Sequence, residues 1–146
     1  MPGITVGVDG SASAKRALEE AAKEAGIRHA PLTVLAVHRA VVGYSGGPVT
    51  YPEDATLTRQ AREAAQAETG KVLARLDGPR PEPITVKAVH GFPVEELISA
   101  SKDADLIVLG SRGAGGFTRL MMGSVAGQVV QHAYCPVLIV PPEDRG

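Results

Sequence analysis

The chain has no tryptophan, only two phenylalanines and only three tyrosines among its 146 residues. So few rings cannot build the stacking platforms that single-stranded nucleic acid needs, nor the walls of a flavin site. A single cysteine, Cys135, excludes an internal disulfide and a cysteine-based zinc centre. An excess of one charge is missing as well: 15 Lys and Arg balance 16 Asp and Glu. With no field of one sign, neither nucleic acid nor an anionic membrane surface is an expected partner. No apolar run approaches the roughly 20 residues of a transmembrane helix. The opening "MPGITVGVDG" lacks the charged and apolar regions of a secretory signal. The expectation is a cytoplasmic protein with one domain over residues 1–146.

What the chain does have is alternation. Short β-branched runs at Ile4–Val8, Leu32–His38, Ile84–Val89, Asp105–Gly110 and Pro136–Val140 read as strands. Between them lie helix-like stretches. The first carries the stripe Ala14, Ala17, Leu18, Ala21, Ala22 and Ala25, with Ser11 or Ser13 to cap it and Gly26 to end it. The second spans Asp54 to Leu76, with Leu57, Ala61, Ala64, Ala65, Val72 and Leu76 expected to face inward. Pro93–Lys102 and Ser124–Ala133 complete the set; Leu97 and Ile98 line the former, and Val125, Ala126, Val129, Val130 and Ala133 the latter. Five strands alternating with four helices predict an α/β fold, a parallel sheet covered on both faces in the order 3-2-1-4-5. In such sheets ligands bind where the strand order reverses, outside the carboxyl ends of strands 1 and 4.

The segment after strand 4 is "GSRGAGGFTRLMMGS", Gly110 to Ser124, with five glycines, two arginines and no carboxylate. Glycines let a backbone approach a ligand closely. The helix that follows offers unpaired amides and a partial positive charge, which together favour an anion, phosphate above all. Ser124 is the expected N-cap, and Arg112 and Arg119 can add charged contacts. The plain alternative is a glycine loop with Ser124 as a simple cap. No Gly-Lys-Ser/Thr ending of a Walker A loop is present. Strand 1 ends in "VDGSAS" rather than in the dinucleotide fingerprint. The acidic cluster of a phospho-receiver is also missing.

Gly110-x-x-Gly113, nine residues, then Gly123-Ser124 resembles the nucleotide-binding pattern of the universal stress protein family, as "VGVDGS" (Val6–Ser11) and "CPVLIVP" (Cys135–Pro141) resemble its opening and closing strands. The resemblance covers essentially the whole chain. It implies a five-stranded Rossmann-like fold of the adenine nucleotide alpha hydrolase type, usually dimeric, and a member of the ATP-binding subgroup. ATP, with Mg as a possible companion, is the implied cofactor. Carried over by position, Gly110, Gly113, Gly123 and Ser124 would surround the phosphates and ribose, with Arg112 and Val125 in the same shell. Gly7, Val8 and Asp9 would lie beside the adenosine, and Val37 would offer main-chain groups to the adenine edge.

Other residues carry competing readings. Asp9 is either a ligand to ribose, adenine or metal, or a cap for the first helix. Gly43-Tyr44-Ser45-Gly46-Gly47 matches a nucleophile elbow in letters, but "PVTYPED" follows where a helix should, which argues against a catalytic Ser45. His38 and His90 end strands 2 and 3 on the ligand side, while the four histidines show no metal-ligand spacing. Cys135 is expected to be a buried structural thiol, a redox switch being the minor option. Met121 and Met122 are expected on the pocket wall or a partner surface. Lys87 protects the strand 3 edge, whereas Pro136–Val140 carries no charge and predicts an antiparallel homodimer through strand 5. The expected function is an ATP-dependent regulatory module in the stress response, with no catalytic residue and at most slow hydrolysis. A slow ATP hydrolase or nucleotidyl transferase, and a nucleotide-free interaction protein, are the alternatives.

Overall fold

A computed structural model describes residues 2–39, 53–112 and 123–141. In chain order the elements are β1 (Ile4–Val8), α1 (Ala12–Arg28), β2 (Leu32–Arg39), α2 (Glu53–Ala74), β3 (Ile84–Gly91), α3 (Pro93–Ser101), β4 (Leu106–Gly110), α4 (Ser124–His132) and β5 (Val137–Val140). The strands form one parallel sheet in the order β3-β2-β1-β4-β5, as the alternation predicts. β1 is central and neither of its faces is open to water: Ile4 and Val6 are fully buried on one, and on the other Thr5 is buried and Gly7 is pressed against Leu97 and Leu109. A Cβ at Gly7 would stand 2.9 Å from Leu109 Cδ2 and 3.0 Å from Leu97 Cδ2, so this glycine is set by packing.

Each face has its own core. On one, the alanine stripe of α1 packs with Ala65 and Val72 of α2 over Ile4, Val6, Leu32, Val34 and Val108. Small residues bring α1 close to the sheet, and each large side chain buried beneath contributes about 1.5–3 kcal/mol. On the other, Leu97 of α3 and Ala126 and Val129 of α4 cover Leu35, Ile107 and Leu109.

Several local expectations are corrected. Gly26 does not end α1; the helix runs on to Arg28, and His29 closes it with φ 56°. Gly26 is a buried contact instead, since a Cβ there would run into the Pro79 carbonyl. α2 stops at Ala74, short of Leu76. Leu57 is 45% exposed and Ala64 is exposed too, and on α4 Val130 is 46% exposed. A helical stripe identifies an apolar face, but not whether another part of the same chain covers it.

Candidate functional site

β1 ends before β2 does, and it stops pairing with β4 two residues before either strand ends; together these open a notch. Its last pairing with β2 is Val8 with Ala36, yet β2 continues beside β3 to Arg39. Its last pairing with β4 is Val6 with Val108, yet β4 continues beside β5 to Gly110. Backbone groups in a parallel strand address alternate neighbours. Leu32 donates to Pro83, and Ile4 donates to Pro31, so odd-numbered residues of β2 address β1. The carbonyl of Val37 therefore points to where β1 has already left the sheet. Val37's side chain packs on the α3 face and Val8's on the α1 face.

Asp9 and Gly10 carry the chain out of β1. The exposed Asp9 accepts the Ser11 amide on Oδ1 at 3.0 Å, and Gly10 takes φ 83°. Ser11, not Asp9, caps α1: its Oγ accepts the Ala14 amide at 3.1 Å. Asp9 thus shapes the turn before the helix.

The helices that begin at this end differ in how their free amides are treated. α1 has the Ser11 cap. α3 has no capping side chain, but Glu95 and Glu96 occupy its first turn and complement the helix dipole. Among the described residues α4 has neither: its N-cap is Gly123, no side chain caps it, and its first turn holds no acid. Ser124, expected as the cap, is the first helical residue and is exposed. Within α4 the first internal bond runs from Gly127 to the Gly123 carbonyl, so the helix supplies no acceptor for the amides of Ser124, Val125 and Ala126. Val125 is half-buried against the α3–α4 core.

The same end holds the start of the glycine-rich segment. Gly110 ends β4 under the first turn of α1, where a Cβ would collide with Ser13. Ser111 donates to Val140 at 3.0 Å and accepts from Gly123 at 2.7 Å. Arg112 is half-buried and its amide donates to Ser13 Oγ at 3.4 Å. Gly110, Arg112, Gly123, Ser124 and Val125 are thus gathered on the β4 side of the notch, with Gly7, Val8, Asp9 and Val37 on the β1–β2 side. Gly113 and Arg119 lie outside the described residues, as do Ser45, Met121 and Met122.

Two features escaped the residue-by-residue reading. His38 and His90 are register partners on adjacent strands, and their rings stack with centroids 4.8 Å apart and an 11° tilt. His38 Nε2 also lies 2.6 Å from Thr58 Oγ1 of α2. The pairing follows once the register is known, since both side chains end on the α2 face. The second is the role of Ser13, named from the sequence only as a candidate cap: its buried hydroxyl accepts the Arg112 amide across the fold. No spacing rule marks it.

Cys135 departs from expectation. It is half-exposed rather than buried, and its Sγ donates to the Pro136 carbonyl at 3.4 Å. Desolvation pushes the thiol pKa up, the Ile107 amide pulls it down, and the Asp105 charge adds to the rise. Such a thiol is a poor nucleophile at neutral pH. Among the described residues no helix is long and apolar enough to cross a membrane, and no group of three His, Cys, Asp or Glu side chains stands ready for a metal.

Comparison with known proteins places this arrangement. A universal stress protein of Mycobacterium tuberculosis is 33% identical over 144 residues, which take in 97% of this chain and 48% of the relative. The chain therefore spans about half the length of the curated relatives it matches. The universal stress protein UspA of Lactobacillus plantarum superposes with a TM-score of 0.74 at 29% identity, over 95% of this chain and 97% of that one. A universal stress protein of Archaeoglobus fulgidus, solved in complex with dAMP, superposes with a TM-score of 0.62 at 26% identity, over 96% and 98%. The model of the Universal stress protein family matches residues 2–141, and the chain belongs to that family.

Proposed function

We propose that the protein is an ATP-binding regulatory module of the stress response. The observation that carries this reading is the N-terminus of α4, which among the described residues has neither a capping side chain nor an acidic first turn and begins at the strand-order reversal. Free amides and a partial positive charge at that place suit a phosphate chain. The dAMP complex of the Archaeoglobus fulgidus relative supports an adenine nucleotide as the ligand class.

In this reading Gly110, Gly113, Gly123 and Ser124 surround the phosphates and ribose, and Arg112, Arg119 and Val125 complete that side. Gly7, Val8 and Asp9 flank the nucleoside, and the Val37 main chain meets the adenine edge. Any Mg2+ enters with the ATP, held by phosphate oxygens and water. The chain contributes binding rather than fast chemistry, because its sequence has no Walker A lysine to steady a transferring phosphoryl group. Occupancy stabilises the 110–124 segment and, through it, a homodimer paired along β5.

Single-turnover measurement with labelled ATP tests the regulatory reading. Retention of intact ATP over minutes is expected. Turnover on the order of 1 per second, an ordinary enzyme rate, overturns it in favour of a hydrolase.

A further inference from the structure

We infer that Ser13 is a positioning residue for the phosphate side of the site, an inference that rests on the adenine-nucleotide reading. Ser13 sits in the first turn of α1 and is 6% exposed. It is not needed as a cap, because Ser11 Oγ already takes the Ala14 amide. Its hydroxyl faces away from its own helix. Oγ accepts the Arg112 amide at 3.4 Å and rests against Gly110, where a Cβ would strike both this oxygen and the Ser13 backbone.

Ser13 therefore touches the residues on either side of Ser111. Ser111 itself is held by Val140 through its amide and by Gly123 through its carbonyl. Three consecutive residues, 110 to 112, are thus fixed by three separate parts of the fold: α1, the end of β5 and the cap of α4. The contacts to Ser111 are backbone bonds that any sequence can make. The contact to Arg112 depends on one side-chain oxygen, so it is the one that a substitution removes cleanly.

The consequence is directional. Arg112 begins the stretch that leads from β4 towards the α4 amides. An amide with a buried acceptor has one orientation; without it, the turn at 111–112 is free to aim elsewhere. A phosphate held by several amides and the Arg112 guanidinium is sensitive to that aim. A nucleoside on the β1–β2 side of the notch is not. Ser13 acts through Arg112 and Gly110 and makes no contact with the nucleotide.

The test compares ATP with adenosine by isothermal titration, with melting temperature recorded for each variant. Ser13→Ala is expected to weaken ATP about three- to tenfold, the net value of one neutral hydrogen bond. Adenosine affinity stays within about twofold, and the melting temperature falls by no more than the few degrees that one lost hydrogen bond costs. Ser13→Cys, close in volume but a poor acceptor, repeats the loss, and Ser13→Thr, which keeps the hydroxyl, restores ATP affinity. ATP binding unchanged in both Ser13→Ala and Ser13→Cys overturns the inference alone. So does an equal loss for ATP and adenosine, which is the mark of a merely structural serine, or a Ser13→Thr variant as weak as Ser13→Ala. A wild-type chain that binds neither ligand overturns the nucleotide reading and this inference together.

Discussion

The Ser111 carbonyl accepts the Gly123 amide at 2.7 Å, so the two ends of the glycine-rich segment meet at one point. That point lies beside the reversal of strand order and at the foot of α4. It brings two residues that are separated by eleven others in sequence together on one side of the notch. The same serine donates to Val140, the last residue of the edge strand. The proposed phosphate wall and the proposed dimer edge are therefore one bond apart.

Glycine substitutions separate the site from the fold. Gly113→Ala and Gly123→Ala are expected to weaken ATP about tenfold or more, which corresponds to about 1.4 kcal/mol. Gly123 has φ −61°, open to any residue, so alanine there adds bulk without backbone strain. Titration calorimetry and thermal melting on both variants check this: affinity falls while the melting temperature holds.

Gly26→Ala should do the reverse. The added methyl meets the Pro79 carbonyl, a backbone group that cannot swing aside. Overpacking of this kind costs about 1–3 kcal/mol. Urea denaturation should report that loss, and ATP affinity should match wild type, because Gly26 lies at the far end of α1 from the notch.

The β5 edge makes its own prediction. Ile107 donates to Pro136 and Ser111 to Val140, so even-numbered residues from 136 to 140 address β4, and the Ile139 amide points outward. Proline at such a position removes an outward donor and leaves the inner ladder intact. Wild type is expected to sediment as a dimer and Ile139→Pro as a monomer with near-native circular dichroism. A dimer that survives this change places the interface elsewhere.

Cys135 predicts a pH dependence. Its raised pKa means that the folded chain holds the thiol proton more tightly than the unfolded chain does. The associated stability is complete below the ordinary thiol pKa and declines as pH rises through the folded value. Alkylation by iodoacetamide should be slower than for a free cysteine at pH 7 and should accelerate into the alkaline range. Cys135→Ser should flatten the alkaline fall in melting temperature.

Most of the architecture is legible in the sequence because its signals are local and repeated. The five β-branched runs, the alanine stripe of α1 and Pro93 at the start of α3 each state an element without help from the rest of the chain. The misreadings have a common physical origin in contacts between distant residues. Gly26 resembles a helix stop, but its smallness answers to Pro79, more than fifty residues away. Ser124 looks like a cap, yet the turn places Gly123 in that role and leaves the serine exposed. Leu57 and Val130 have the spacing of core residues and lie at the surface, because periodicity fixes a face and not its cover. The stacked pair of His38 and His90 needs the β2–β3 register, and Ser13 needs the packing of α1 on Gly110.

Native mass spectrometry of the purified chain with millimolar ATP tests the central assignment most directly. Main-chain amides where β4 gives way to α4 are expected to retain one ATP per chain, and the retained mass should vanish in the Gly113→Ala, Gly123→Ala double variant. A wild-type spectrum with no nucleotide adduct, or one in which the double variant retains ATP as fully as wild type, would contradict it.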